Sequence, residues 1–385
     1  MPKKTLDNLA AMRKTVLILN TGSSSVKFAV ARGRKIFLRG LLGHFGRQAE
    51  VITTVNGRRR TETMAVPTLR AALSTIRRLL VIHRIRPDAV AHRIVHGGQR
   101  SSKPARLTPT ALAYLHGLVE LAPLHQPANL AGVSWAKKAW PPAAQWGVFD
   151  TAVFRALPER ARIYALPARI TKRLHIEKYG FHGTSHAWAF RQATKKLGVA
   201  QGKLSAVTIH LGAGASMTLW RRGKPMDTTM GFTPLAGLVM STRAGDIDPA
   251  IPVYIQEKLR WSAGRVGHML EFESGIHGLC GLNDMRDVLS AAGYPVKGWP
   301  HRHRPATVRA NAKLALEIYI YYIRHNLAGY IGMSEKIKAI VFTGRVGANR
   351  DIQRLVVKDL PAARKIPYLT VPADEEQAMI NALPL

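Results

Sequence analysis

The sequence predicts an α/β protein built twice over, and three observations carry that expectation. An apolar run, Val16-Leu17-Ile18-Leu19, breaks at Asn20-Thr21-Gly22-Ser23-Ser24-Ser25 and returns as Val26-Lys27-Phe28-Ala29-Val30, a strand, loop and returning strand. The same layout recurs about half a chain later. Ala206-Val207-Thr208-Ile209-His210 breaks at Leu211-Gly212-Ala213-Gly214-Ala215 and returns through Ser216-Met217-Thr218-Leu219-Trp220, turning at Arg222-Gly223-Lys224. A third strand-to-glycine junction follows where Lys338-Ala339-Ile340-Val341-Phe342 reaches Thr343-Gly344-Arg345-Val346-Gly347. Two glycine-bearing hairpins at this separation suggest a duplicated two-domain protein whose loops face one another across a cleft. Coincidence between two common hairpins is the alternative.

Taken in order, the opening pair leads through Arg32-Gly33-Arg34 to a third strand, Lys35 to Leu42, which makes a meander rather than a βαβ unit. Leu69 to Ile85 reads as an amphipathic helix ended before Pro87, with Leu69, Ala72, Leu73, Ile76, Leu79 and Leu80 at helical spacing. Ala89 to Val95 follows as a strand running into His96-Gly97-Gly98, and Trp146 to Phe149 as another that delivers Asp150. Ala315 to Gly332 is helical and apolar on one face, and Gly293 to Pro305 is the only linker-like piece.

A length of 385 residues implies two or three domains. No stretch resembles a spanning helix, because Leu314 to Met333 is interrupted by Glu317, Arg324 and His325. The basic start, with Lys3, Lys4, Arg13 and Lys14, leads only into a short strand with no cleavage site, which argues against a secretory signal. The single cysteine, Cys280, excludes an internal disulfide and fits a reducing cytoplasm. A formal charge of +34 should attract polyanions, yet the 57 basic residues are spread along the chain without aromatic interleaving or zinc spacing, which weighs against dedicated nucleic-acid binding.

Several clusters set hydrogen-bonding groups beside turns. The first loop offers backbone N–H groups, three serine hydroxyls and Lys27, which suits an anion of phosphate type, although an ordinary serine-rich hairpin has the same composition. Tyr179-Gly180-Phe181-His182-Gly183-Thr184-Ser185-His186 reads as a loop entering a helix, with His182 at the bend and Thr184 or Ser185 as cap. Its two histidines lack the glutamate of a zinc HExxH motif. In Ser241-Thr242-Arg243-Ala244-Gly245-Asp246-Ile247-Asp248-Pro249, Asp248-Pro249 suits a salt-bridged helix cap with proline at the first helical position, and Arg243 is the functional candidate. P-loop and Rossmann readings fail, since no GxxxxGK[ST] exists and Gly212-x-Gly214 lacks a third glycine.

Together these segments resemble the acetate kinase (acetate/propionate kinase) family over nearly the whole chain. LNTGSSSVKFAV, HRIVHGG, LAPLHQPANL, VFDTAVF, YALP, KYGFHGTSH, HLGAGAS, DTTMGFTPLAGLVMSTRAGDIDPAI, ESGIHG, NDMRDV and VFTGRVGAN stand in the family's order. The resemblance implies the duplicated actin/hexokinase/sugar-kinase (ribonuclease H-like) fold. It implies a first domain of residues 15–149 with 372–385 packing back, after an extension of 1–14, and a nucleotide-side domain of 150–371. It further implies Mg²⁺-dependent, reversible phosphoryl transfer from ATP to acetate, with Mn²⁺ able to substitute, in a cytoplasmic homodimer.

By the same resemblance Arg93 meets the acetate carboxylate, Arg243 the transferring phosphoryl group, and His182 donates to that group. His125 is a further active-site histidine, and Asp150 organises substrate and metal. Asn20 and Glu375 fix magnesium, with Glu376 the alternative. Val95, Leu124, Phe181 and Pro234 enclose the methyl end of the acid. Ser23, Ser25, Lys27, His210, Gly212, Gly214, Asp284, Met285, Arg286, Gly344 and Asn349 serve the nucleotide.

Three departures fall on the nucleotide side, where Ala213 replaces an asparagine of HLGNGAS, and Arg345 and Ala348 replace a glycine and a glutamate of TGGIGEN. An arginine there stacks on adenine, pairs with phosphate, or fills the adenosine pocket, the last favouring a smaller donor such as pyrophosphate. The closing helix after Glu376 is short, which implies weaker docking. The rival readings are a relative with another donor or weakened activity, and a non-catalytic basic protein that binds polyanions.

Overall fold

The computed structural model describes residues 14–300, 302–334 and 336–384, so the expected N-terminal extension lies outside the described residues except for Lys14. The chain divides into two compact units, the described residues up to Arg155 with the segment from Asp374 onward, and Ala156–Ala373.

The first unit is built on β1 (Thr15–Thr21), β2 (Val26–Arg32), β3 (Lys35–Gly43), β4 (Gly46–Val55), β5 (Arg58–Val66), β6 (Ala89–Ile94), β7 (Ala105–Arg106) and β8 (Ala144–Phe149). They form one sheet in the order β5-β4-β3-β2-β1-β6-β8-β7. The strands β1 to β5 make an antiparallel meander, while β1, β6 and β8 run parallel. Burial on both faces explains why β1 reads as a continuous apolar run. Leu17 and Leu19 enter one core with Ala72, Leu73, Ile76 and Leu80 of the helix Leu69–Ile82. On the opposite side of the strand, Val16 and Ile18 pack with Met379 and Ile380 of the terminal helix Glu375–Ala382. Short as it is, that helix is also held by Arg34, which donates to the carbonyls of Ile380, Asn381 and Leu383 at 3.2, 2.8 and 3.4 Å.

The helix Leu69–Ile82 is capped by Thr68, whose hydroxyl accepts from the Ala71 N–H. It stops three residues before the expected Ile85, because Arg84 turns into the left-handed region at φ 53°.

The second unit repeats the plan. Its strands β9 (Ala206–Leu211), β10 (Ala215–Arg221), β11 (Lys224–Thr228), β12 (Ala339–Thr343) and β13 (Tyr368–Thr370) are ordered β11-β10-β9-β12-β13. Again the first three form an antiparallel meander and the first pairs in parallel with a later strand, so β3-β2-β1-β6-β8 and β11-β10-β9-β12-β13 share one layout. Coincidence between hairpins is thereby set aside. The helix Gly183–Leu197 covers β9 and β12, with Phe190 stacked on Trp220 at 4.5 Å between ring centroids. The long helix runs Ala306–Gly332, starting nine residues before the expected Ala315.

Candidate active site

In the first unit, the carboxyl ends of the parallel strands bring four of the expected residues into one hydrogen-bonded line. Arg93, at the end of β6, donates from Nε and from a terminal nitrogen to Asp150 Oδ2 at 2.9 and 2.6 Å. Its other terminal nitrogen donates to Asn20 Oδ1 at 3.2 Å, and Asn20 Nδ2 donates to Glu375 Oε2 at 2.8 Å. Burial opposes the charge of Arg93, but Asp150 and then Glu375 outweigh it and raise its pKa above the ordinary range. The guanidinium is therefore a fixed cation with its fork already aimed.

Two residues of the LAPLHQPANL segment with no expected role tie this corner together. Gln126 and Asn129 are buried on the helix Gln126–Ala139, whose first turn His125 opens with its backbone. Asn129 accepts from the Val95 N–H at 2.9 Å and donates to the Thr21 carbonyl at 2.6 Å. Gln126 accepts from the His96 N–H and donates to the His96 carbonyl. The exits of β1 and β6 are thus locked to one helix. Leu124 is 37% exposed just before it, whereas Val95 is buried.

The loop after β1 is a tight turn in which the Gly22 N–H donates to the Ser25 carbonyl at 2.9 Å, leaving Ser23 and Lys27 exposed. Lys27 lines a cavity of about 290 Å³ with Arg39, Arg59 and Glu376. Arg39 grips Asp374 through two nitrogens at 2.9 and 2.7 Å and reaches Glu376 at 3.3 Å. Burial, then the neighbouring Glu375, pushes the Glu376 carboxyl up, and its Oε1 is buried without a hydrogen-bond partner.

Two histidines flank Arg93. Burial pushes both His92 and His96 down to about 4, with a bond to Gln145 partly offsetting the shift at His92 and Arg155 adding to it at His96. Between pH 6.5 and 4 the unfolded chain binds protons that the folded chain refuses, so stability is lost as pH falls through that window. These groups have no such effect above it. Each contributes up to about 3 kcal/mol, and urea unfolding is expected to show a clear fall between pH 7 and about pH 5. A flat profile would contradict their burial as neutral rings.

In the second unit the expected residues converge on the loop between β9 and β10. A Cβ added at Gly214 would lie 3.0 Å from His182 Cε1, 3.2 Å from His182 Nε2 and 3.8 Å from a terminal nitrogen of Arg243, so both side chains reach this glycine, and a larger residue would crowd the His182 ring. Arg243 is aimed by Glu271, which accepts from its Nε at 2.6 Å, and the Ser241 N–H donates to the Ala213 carbonyl. His182 itself is the N-cap, in the left-handed region at φ 58°. The expected caps Thr184 and Ser185 therefore lie inside the first turn, where Ser185 Oγ is instead 2.8 Å from His210 Nδ1. The rings of His182 and His210 are 4.5 Å apart.

Gly344, at φ 84°, crosses the backbone of Leu211 too closely for any side chain, and the Val346 and Gly347 N–H groups donate to the Leu211 carbonyl. The two glycine loops of this unit are thus joined through Leu211. Asn349 caps the helix Arg350–Lys358 by accepting from the Ile352 N–H, and Arg345 is exposed. Asp284 caps the helix Met285–Ala291 and is held low first by its bond to Arg286, with Arg345 adding to the effect. Arg286 lies 3.5 Å over the ring of Trp299, a residue within the expected linker. Asp248 Oδ1 accepts from the Ala250 N–H, but the cap of the helix Ala250–Leu259 is Pro249 rather than Asp248, so the expected cap with proline at the first helical position is displaced by one residue. Phe181 is buried and Pro234 half-buried.

The matched strand orders and the polar loops at their strand ends define the actin/hexokinase-like two-domain class. The model of the acetokinase family matches residues 15–381. The chain is 37% identical over 353 residues to the acetate kinase of Thermotoga maritima, covering 88% of this chain and 84% of that one. Over 348 residues it is 36% identical to the acetate kinase of a Sulfurovum species, covering 89% and 85%. A solved propionate kinase from Francisella tularensis superposes with a TM-score of 0.86 at 32% identity over 96% of this chain and 98% of that one. The acetate kinase of Porphyromonas gingivalis gives 0.82 at 31% with the same coverage. The chain belongs to the acetokinase family.

Proposed function

We propose that this chain transfers the γ-phosphoryl group of ATP to the carboxylate of acetate, reversibly, giving acetyl phosphate and ADP. The observation that carries the reading is the pairing of Arg243 and His182 at Gly214, a cation and a hydrogen-bond donor meeting at the glycine of a phosphate-type loop. The difficulty of the reaction is bringing two anions together. At about 4 Å and an effective dielectric near 20, each arginine offsets about 4 kcal/mol of that repulsion.

Arg93, held by Asp150, receives the acid's carboxylate, and His125 stands at the start of the adjoining helix. Val95, Leu124, Phe181 and Pro234 receive its methyl end, which favours acetate or propionate over longer acids. The carboxylate oxygen forms the new O–P bond as the bond from the γ-phosphorus to the bridging oxygen breaks, and ADP leaves with that electron pair. Arg243 and His182 stabilise the equatorial oxygens in between. Lys27, Ser23 and Ser25 serve the phosphates, and His210, Gly212, Gly214, Gly344, Asn349 and the Asp284-Met285-Arg286 cap serve the nucleotide.

Glu375, which accepts from Asn20, offers an oxygen donor of the hard type that suits Mg²⁺, with Asp150 linked to it through Arg93 and Asn20 and Glu376 the alternative. Bound there, Mg²⁺ would neutralise charge on the phosphate oxygens. Among the described residues no cluster of three or more His, Cys, Asp or Glu is placed to hold a metal ion.

Arg345 is exposed and its charge acts on Asp284 of the nucleotide-side cap, and we read it as a tolerated change beside ATP. Replacing it with glycine is expected to change the KM for ATP by less than about tenfold, as suits one solvated charge. A fall of a hundredfold or more would show that it blocks the nucleotide. No helix among the described residues is long and apolar enough to cross a membrane. On the family resemblance alone, we place the enzyme in the cytoplasm as a homodimer. Light scattering should give twice 42.4 kDa, and a monomer mass would exclude the dimer. The activity itself is tested by trapping the acyl phosphate with hydroxylamine. Hydroxamate should form only with acetate, ATP and Mg²⁺ together, and formation without ATP or none at all would defeat the reading.

A further inference from the structure

From His182 a line of hydrogen bonds runs inward through the second unit. His182 Nδ1 is 2.9 Å from Ser216 Oγ, which is 2.8 Å from His186 Nε2. His186 Nδ1 is 2.8 Å from Thr208 Oγ1, and Trp220 Nε1 donates to that same oxygen at 2.9 Å. Ser216, His186, Thr208 and Trp220 are all buried.

The direction of this line follows from its inner end. An indole N–H can only donate, so Thr208 Oγ1 accepts from Trp220. The hydroxyl proton of Thr208 then has two acceptors within reach, His186 Nδ1 at 2.8 Å and the Thr218 carbonyl at 3.5 Å. The second lies beyond the range of about 2.5–3.0 Å for a good O–H···O bond, so the proton belongs to His186. Burial, then the nearby His210, depresses the pKa of His186 and keeps its ring neutral, with one donor and one acceptor nitrogen. With Nδ1 accepting, Nε2–H donates to Ser216, and Ser216 donates to His182 Nδ1.

We propose that His186 and Ser216 are positioning residues that hold His182 in the tautomer with its proton on Nε2, the nitrogen beside Gly214 and Arg243, ready to donate to the transferring phosphoryl group. The proposal rests on the reading of His182 as that donor. It also fits the surroundings of the ring, since His210 lies 4.5 Å from it and Arg243 reaches the same glycine, so a second proton would add a cation near an arginine.

The direct test is a long-range ¹H–¹⁵N spectrum of the full chain labelled at histidine, with His182 assigned by the loss of its signals in His182→Gln. Near neutral pH the proton should sit on Nε2, with Nδ1 unprotonated; a proton on Nδ1, or on both, overturns the proposal. This readout does not depend on turnover, so an inactive protein with the Nε2 tautomer would sink the kinase reading and leave the tautomer assignment standing. In kinetics, Ser216→Ala should lower kcat by about tenfold or more with the KM for acetate unchanged. Ser216→Thr, which keeps the hydroxyl, should restore most of it. Equal rates for the two variants would contradict the relay. Should Ser216→Ala fail to fold, the wild-type spectrum still decides.

Discussion

Arg243→Ala is expected to lower kcat for acetyl phosphate formation by about 10³-fold or more, the scale typical of an arginine that stabilises a transferring phosphoryl group. Its Nε is already committed to Glu271 at 2.6 Å, while a terminal nitrogen stands 3.8 Å from where a side chain at Gly214 would begin. One edge of the guanidinium is thus an anchor and the other faces the loop. Lysine cannot do both, so Arg243→Lys should recover little of the loss. A near-normal rate in either variant would remove Arg243 from the mechanism.

Asp150→Ala is expected to cost both stability and activity. Asp150 is 1% exposed and takes two bonds from Arg93, which is itself only partly buried, so its removal leaves a half-buried cation without its main partner. Breaking a fully buried pair costs about 3–5 kcal/mol, and with Arg93 partly exposed the loss should fall at or below the lower end of that range, read as a lower urea midpoint. Replacing both members, with Arg93→Met alongside Asp150→Ala, should recover much of the stability but none of the activity. An Asp150→Ala protein as stable as the wild type would show that the pair is not buried as described.

How far the sequence announced this architecture depended on where burial leaves a mark. β1 was legible because a parallel strand covered on both faces reads as unbroken aliphatic sequence, and the duplication was legible because both meanders begin at such a strand. β5 was not, since Arg58-Arg59-Arg60-Thr61 is exposed and carries no apolar alternation. Its one signal was Asn56-Gly57, which adopts φ 48° and 84° between β4 and β5, the conformation of a tight hairpin turn. The first turns of the helix Ala306–Gly332 were missed for the same reason, because its buried face begins only at Ala312.

The site divides along a similar line. The motifs marked the candidate residues, but not the groups that aim them. Glu271 lies 28 positions from Arg243, Ser216 lies 34 from His182, and Asn129 lies 108 from Thr21. Such partners are set by the sheet and helix packing, and local spacing carries no trace of them. The left-handed backbone of His182 was likewise hidden, because the glycine after it drew the expected cap two or three residues too far.

The most direct test of the account is a donor comparison: purified protein with acetate and Mg²⁺, supplied with ATP or with pyrophosphate, and acyl phosphate measured for each. Saturable formation with ATP and little with pyrophosphate is the predicted result. Formation with pyrophosphate alone, or with neither donor, would contradict it.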